Sequence, residues 1–170
     1  MLSKFNFYKV IGKKQKQGSV LLEVVVGAAI ISASLLSLMS VFNMSLRFAE
    51  QSIKKTQAAF LLEEGMEAVR VLRDSGWLNN IETLDAGTSY HLDFLEDKWV
   101  ATSTADYIDG VFDRVFILDD VYRDSNYDIV DLGGDLDTDT RKITVAISWF
   151  DGKGTTKESI HSYITNIFDD

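Results

Sequence analysis

From Val24 to Leu46 the chain carries 23 consecutive uncharged residues, mostly Val, Ala, Ile, Leu, Ser and Met. At about 1.5 Å per residue a helix of that length comes to roughly 34 Å, enough to cross a bilayer core of about 30 Å. The pattern then changes. In "RFAEQSIKKTQAAFLLEEGMEAVRVLRDSGW" the apolar residues Ala49, Ile53, Phe60, Met66, Val69 and Leu72 recur at helical spacing. Glu50 with Lys54, and Arg70 with Asp74, stand four apart on what should be the solvent side. Gly76 after Asp74-Ser75 predicts a stop, with Trp77 free to fold back. One helix from about Ser19 to about Asp74 is predicted, uniformly apolar in its first half and amphipathic in its second. The alternative is two helices with a break around Asn43 to Arg47.

The remaining residues, 76–170, read as strands. "TSYHLDF" alternates Tyr90, Leu92 and Phe94 inward, and "GVFDRVFIL" holds an apolar run from Val115 to Leu118. "RKITVAISWF" alternates Ile143, Val145, Ile147 and Trp149; "DGKG" at 151–154 is a turn, and "KESIHSYITNI" completes a hairpin. An α+β fold follows, with an antiparallel sheet laid on the amphipathic half of a long N-terminal helix. The predicted organisation is a basic leader at 1–18, an apolar helix at 19–46, an amphipathic helix at 47–75 and a globular β-rich head at 76–170.

The formal net charge of -9 conceals a polarity. Lys4, Lys9, Lys13, Lys14 and Lys16 precede Ser19 with no acid among them. Beyond Gly18, 12 basic residues face all 26 acids, a side-chain charge of -14. Phosphates would be repelled, which argues against nucleic acid as the main partner. With no cysteine in the chain, a disulfide framework or thiolate metal site is excluded. With no proline either, uninterrupted helix and strand are favoured.

A lysine-rich start before an apolar run also describes a secretory signal peptide. Its apolar core would be about 7–15 residues before a small-x-small cut site. Ser32-Ala33-Ser34 offers such a site, but the apolar run continues past it and carries Glu23 near its start. As a signal-anchor, the lysines stay in the cytoplasm and everything after Leu46 crosses the membrane.

A short basic leader ending in Gly18, an apolar stretch beginning immediately after it in "GSVLLE", and Glu23 as the fifth residue past the glycine resemble the processing signal of type IV prepilins and pseudopilins. The resemblance implies a prepilin peptidase that cuts between Gly18 and Ser19 and methylates the new amine. Ser19 stands where the family most often has phenylalanine. It also implies that the Ser19 amine of one subunit meets Glu23 of its neighbour, so that two charges costly in lipid become tolerable as a pair. On the residue alone, Glu23 could equally snorkel to headgroups or sit protonated. "LLEEGMEAVRVLRD" is similar to minor pilins of the type IV modification group. So is the order of "VYRD", a Gly-Gly-Asp loop, an Arg-Lys-initiated strand ending in Trp, and "SYITN". Glu63, Glu64 and Glu67 read as a solvated helix face, with Arg70 and Arg73 nearby to neutralise them.

In "DIVDLGGDLDTDTRK" an EF-hand loop begun at Asp135 places Asp137 and Asp139 correctly, but its sixth position is Thr140 and its twelfth Ala146, so that motif fails. A looser calcium loop using Asp131, Asp135, Asp137 and Asp139 with backbone carbonyls is the one cofactor candidate; the alternative is a solvated turn. His91 and His161 fall in predicted strands with no nucleophile elbow or phosphate loop nearby, so no catalytic residue is assigned and no enzyme expected. The expected function is a structural subunit, a minor pilin, of a type IV pilus-like filament. Its partners would be other pilin subunits through the N-terminal helix, the prepilin peptidase and the cytoplasmic membrane. The precursor would hold its N-terminus in the cytoplasm and its head outside, and reach a cell-surface filament after assembly. The rival readings are a pseudopilin of a type II secretion or DNA-uptake system, an uncleaved membrane-anchored adhesive or ligand-binding module, and an anchored enzyme.

Overall fold

The computed structural model describes residues 17–168, with side chains from Ser19 onward; the leader lysines Lys4 to Lys16 lie outside the described residues. Helix α1 runs Gln17–Asp74 and is unbroken at Asn43 to Arg47. A single turn, α2, follows at Trp77–Asn80. Seven strands follow among the described residues: β1 Ser89–Leu95, β2 Lys98–Thr102, β3 Tyr107–Ile108, β4 Phe112–Arg123, β5 Ile129–Val130, β6 Asp135–Phe150 and β7 Thr155–Thr165. The class is α+β: a long N-terminal helix, apolar in its first half, whose second half packs on a C-terminal antiparallel sheet. By its contacts the chain divides into two compact units, Met1–Phe48 and Ala49–Asp170.

Within the second unit the sheet order is β2-β1-β4-β6-β7, and every pairing is antiparallel. One edge of β4 is taken along its length by β6. The short strands β3 and β5 and the first residues of β1 therefore share its other edge. Period-2 alternation sends Phe112, Phe116 and Leu118 of β4, with Ile143, Val145, Ile147 and Trp149 of β6, into one core. Ala58, Leu62, Met66, Val69 and Leu72 of α1 close it, joined by Trp77, which turns back under the helix end past Gly76.

The helix comes close to the sheet at Gly65. A Cβ there would stand 2.9 Å from Val145 Cγ1 and 3.1 Å from Arg114 Cδ, so only a residue without a side chain fits the approach. Beneath it runs Arg114, buried on the core face of β4. Its guanidinium lies 5.4 Å from the Trp99 ring centroid and 3.3 Å from Glu64 on α1.

Several sequence expectations are corrected. Ile53 and Phe60 are not core residues: both are exposed, Phe60 to 64%. Ala49 is exposed as well. The segment carries two apolar stripes, and nine residues of helix, about half a revolution in azimuth, separate Phe60 from Val69. The stripe that includes the small residues Ala58, Gly65 and Ala68 faces the sheet, because they permit close approach. Phe94 shares the face of Leu92 but is exposed, since β1 pairs with β4 only through His91 and its end passes beyond the core. Val115 and Ile117 are half-buried on the outer face, so the run to Leu118 is an alternation. Lys54 donates to the Phe150 carbonyl (3.1 Å) rather than pairing with Glu50. Arg70 pairs with Glu67, and Asp74 with Arg73.

Candidate functional site

In the first unit the helix surface is apolar on every side and covered by none of the described residues. Val20, Leu21, Leu22, Val24 and Val25 are all exposed. Successive residues of a helix stand about 100° apart, so these five, together with the exposed Val26 and Ile30, reach round the full circumference. The same holds onward through Leu36, Phe42 and Phe48. The helix is long and apolar enough to cross a membrane, and none of its most apolar window is buried. Apolar surface of that extent must be covered by lipid or by protein.

Glu23 is the single acid in this stretch and is exposed. Among the described residues it has no hydrogen bond or ion pair. Among the described residues nothing therefore uses this carboxylate. Ser19 lies one helical turn before it on the same face, and Gly18 sits in the first turn of α1.

The four aspartates proposed for calcium lie at the Asp135 end of the sheet. Among the described residues no group of three or more His, Asp or Glu side chains is placed to hold a metal ion. Asp137 is committed elsewhere: Arg123 Nε donates to its Oδ2 (2.6 Å) and the Asp139 N–H to its Oδ1 (3.0 Å). Arg123 also donates through Nη1 to the Tyr127 carbonyl (2.9 Å) and through Nη2 to Thr140 Oγ1 (3.4 Å). The register between β4 and β6 shifts where Asp120 pairs with Arg141 but Val121 pairs with Asp137; residues 138–140 bulge out and Thr140 is buried. Gly134 passes so close that a Cβ would stand 2.6 Å from the Arg123 carbonyl oxygen. Asp124 accepts the N–H groups of Asn126 (2.8 Å) and Asp128 (3.0 Å) and fixes the intervening turn. The acidic loop is thus clamped by one arginine, and a sequence reading of its acids alone missed that clamp.

Burial alone would raise the Asp137 pKa, but the Arg123 hydrogen bond, with those of Thr140 and the Asp139 N–H and the guanidinium charge, outweighs it and holds the group below its ordinary 3.8. A carboxyl with a depressed folded pKa takes up its proton more readily in the unfolded state. The clamp's contribution is therefore full above about pH 3.8 and is lost as pH falls through the lower folded value. Amide protection over 124–137, corrected for intrinsic exchange, is expected to fall in that acid window while protection over 143–149 persists. Arg123→Ala should lower it already at neutral pH by tenfold or more, the equivalent of ~1.5–3 kcal/mol for a charge-assisted pair. Equal protection in the two proteins would refute the clamp.

The histidines are apart. His91 Nε2 lies 3.0 Å from Asp113 Oδ1 on the outer face of the sheet, and His161 is exposed on β7. No protein-family model, curated protein or solved structure matches this chain.

Proposed function

We propose that this chain is a pilin-like filament subunit, a minor pilin, made as a precursor in the cytoplasmic membrane with its N-terminus in the cytoplasm and cut after Gly18. The observation that carries the reading is an apolar helix uncovered on every side that bears one acid, Glu23, without a partner among the described residues. Lipid satisfies the apolar surface but not the carboxylate. Packing among neighbouring copies satisfies both, if each copy contributes a positive group at that depth. Cutting between Gly18 and Ser19 creates such a group, an amine one turn from Glu23 on the same face. Pairing between subunits then sets their axial register, and the acidic head stays outside the filament core. A pseudopilin of a secretion or DNA-uptake machine would share every one of these features. The prepilin peptidase, the membrane and other pilin subunits are the partners; catalysis and a bound cofactor play no part.

Intact mass and N-terminal sequencing of the protein expressed with and without a prepilin peptidase test this reading. The expected product is peptidase-dependent and starts at Ser19, with or without one added methyl group. A chain that begins at Met1 under both conditions would instead be a permanent signal-anchored protein, and the head would have to be searched for a ligand.

A further inference from the structure

Where β4, β5 and β6 meet at the loop end of the sheet, apolar side chains stand outside the core. Tyr122 of β4 lies directly opposite Val130 of β5 on one side and Leu136 of β6 on the other. Directly paired residues share a face, so the three form one apolar row across three strands. With neighbouring strands about 4.8 Å apart, the row is about 10 Å long. Tyr122 and Leu136 are exposed, and Leu132, in the turn that joins β5 to β6, is 91% exposed. That turn passes against the row, since a Cβ on Gly134 would stand 2.9 Å from Val130 Cγ2. The Arg123 clamp and the Asp124 turn hold the strand ends that carry it.

The charge beside this row has one sign. From Tyr122 to Leu136 the chain carries four acids, Asp124, Asp128, Asp131 and Asp135, and one base, Arg123, which is paired with Asp137. None of the four acids has an ionic partner among the described residues. Nucleic acid and anionic lipid would both be repelled. A second copy of the chain offers no complement, because beyond Gly18 it sets 12 basic residues against 26 acids. Its lysines near the β6–β7 turn stand among acids, Lys55 3.9 Å from Glu158 and Lys153 in the turn that Asp151 caps.

We infer that this loop end docks a cationic amphipathic helix of a different protein. Apolar residues at i, i+4 and i+7 of a helix extend over about 10 Å, the length of the row from Val130 through Tyr122 to Leu136. Their burial, with that of Leu132, supplies the affinity. Lysines or arginines flanking them meet the aspartates at the edge of the contact, where charge decides partner choice and encounter rate. The contact goes beyond the filament reading: it uses the second unit only, needs no cleavage after Gly18, and its partner is not a copy of this chain.

The probe is a synthetic helical peptide with leucines at i, i+4 and i+7 and lysines at its other exposed positions. Two counterparts accompany it, one with glutamate for every lysine and one with serine for every leucine. Each is added to the full chain in nonionic micelles, in excess over the micelles so that they do not deplete it. Amide exchange is read by mass over 122–136, with 143–149 as the control for the fold. The cationic leucine peptide should slow exchange over 122–136 several-fold and neither counterpart should; high salt should weaken the effect. Leu132→Ser with Leu136→Ser should abolish it while 143–149 stays protected. Asp128→Asn with Asp131→Asn should raise the peptide concentration required by roughly threefold to tenfold, as two exposed charges allow. Equal protection by the glutamate peptide overturns the inference in favour of a purely apolar contact. Equal protection by the serine peptide overturns it in favour of an unselective acidic surface, and no protection over 122–136 overturns it outright. Mass analysis of the same chain, expressed with the prepilin peptidase, keeps the two ideas apart. An uncut chain that binds the peptide retains this docking surface and loses the filament reading; a cut chain that does not bind does the reverse.

Discussion

Glu23→Ala is expected to leave the full chain in the membrane fraction and to remove it from sheared filaments. The two effects have opposite signs, which makes the variant informative. An ionised side chain at the centre of a span costs about 2.5–3.5 kcal/mol on insertion scales, and less toward the end of the span. Removing it makes anchoring easier, so lost incorporation could not be ascribed to failed insertion. Between helices in lipid there is no hydrophobic driving force, because acyl chains are as apolar as leucine. An assembly of all-apolar helices therefore lacks a preferred axial register, and a buried ion pair between neighbours is one of few devices that can supply it. Glu23→Gln keeps the shape and a hydrogen-bonding capacity but not the charge. It should fail nearly as completely as alanine if an amine is the partner, and should behave like wild type if hydrogen bonding suffices. The measurement is the ratio of filament-bound to membrane-bound protein by immunoblot, in a host that supplies the peptidase. Unchanged incorporation of both variants would sink the proposed role of Glu23.

The spacing from Gly18 to Glu23 is legible because it is local and because Glu23 interrupts an otherwise uniform run. The β6 alternation is legible for a physical reason also: with one sheet face covered, Ile143, Val145, Ile147 and Trp149 cannot be moved by one residue without turning the whole set to the outer face. The azimuth of the helix is not legible from hydrophobicity, since Ile53 and Phe60 are larger and more apolar than much of the stripe that is buried. The discriminating signal is size: Ala58, Gly65 and Ala68 mark where backbone meets sheet. Arg114 escaped notice because its charge suggests solvent, although the phase of Phe112, Phe116 and Leu118 places position 114 on the core face. The Arg123–Asp137 clamp joins residues 14 apart across a bulge of three residues, and no local pattern announces such a shift. The two-residue strands β3 and β5 are too short to carry a period at all.

Gly65→Ala tests that size argument in the folded unit, and there two principles predict opposite signs. By helix propensity alone, alanine in place of a mid-helix glycine should stabilise by about 1 kcal/mol. By packing, the new Cβ meets Val145 Cγ1 at 2.9 Å and Arg114 Cδ at 3.1 Å. Val145 is fully buried among other core residues and has nowhere to go. The Arg114 stem is held between Trp99 and Glu64, and displacing it disturbs a buried cation whose Nε already lacks a hydrogen-bond partner. Overpacking of this kind costs about 1–3 kcal/mol, so the net effect of alanine is a destabilisation of up to about 2 kcal/mol, a drop of several degrees in Tm. Gly65→Leu should prevent the helix from seating on the sheet and abolish cooperative unfolding of Ala49–Asp170. Fluorescence of Trp77, Trp99 and Trp149 reports that unit directly, since no tryptophan lies elsewhere in the chain. Val145→Ala in the Gly65→Ala background removes the atom in conflict. The pair should be more stable than the sum of the single changes predicts, with a coupling of about 0.5–3 kcal/mol. Should Gly65→Ala raise the Tm, propensity outweighs packing at this position and the glycine is not there for the close approach.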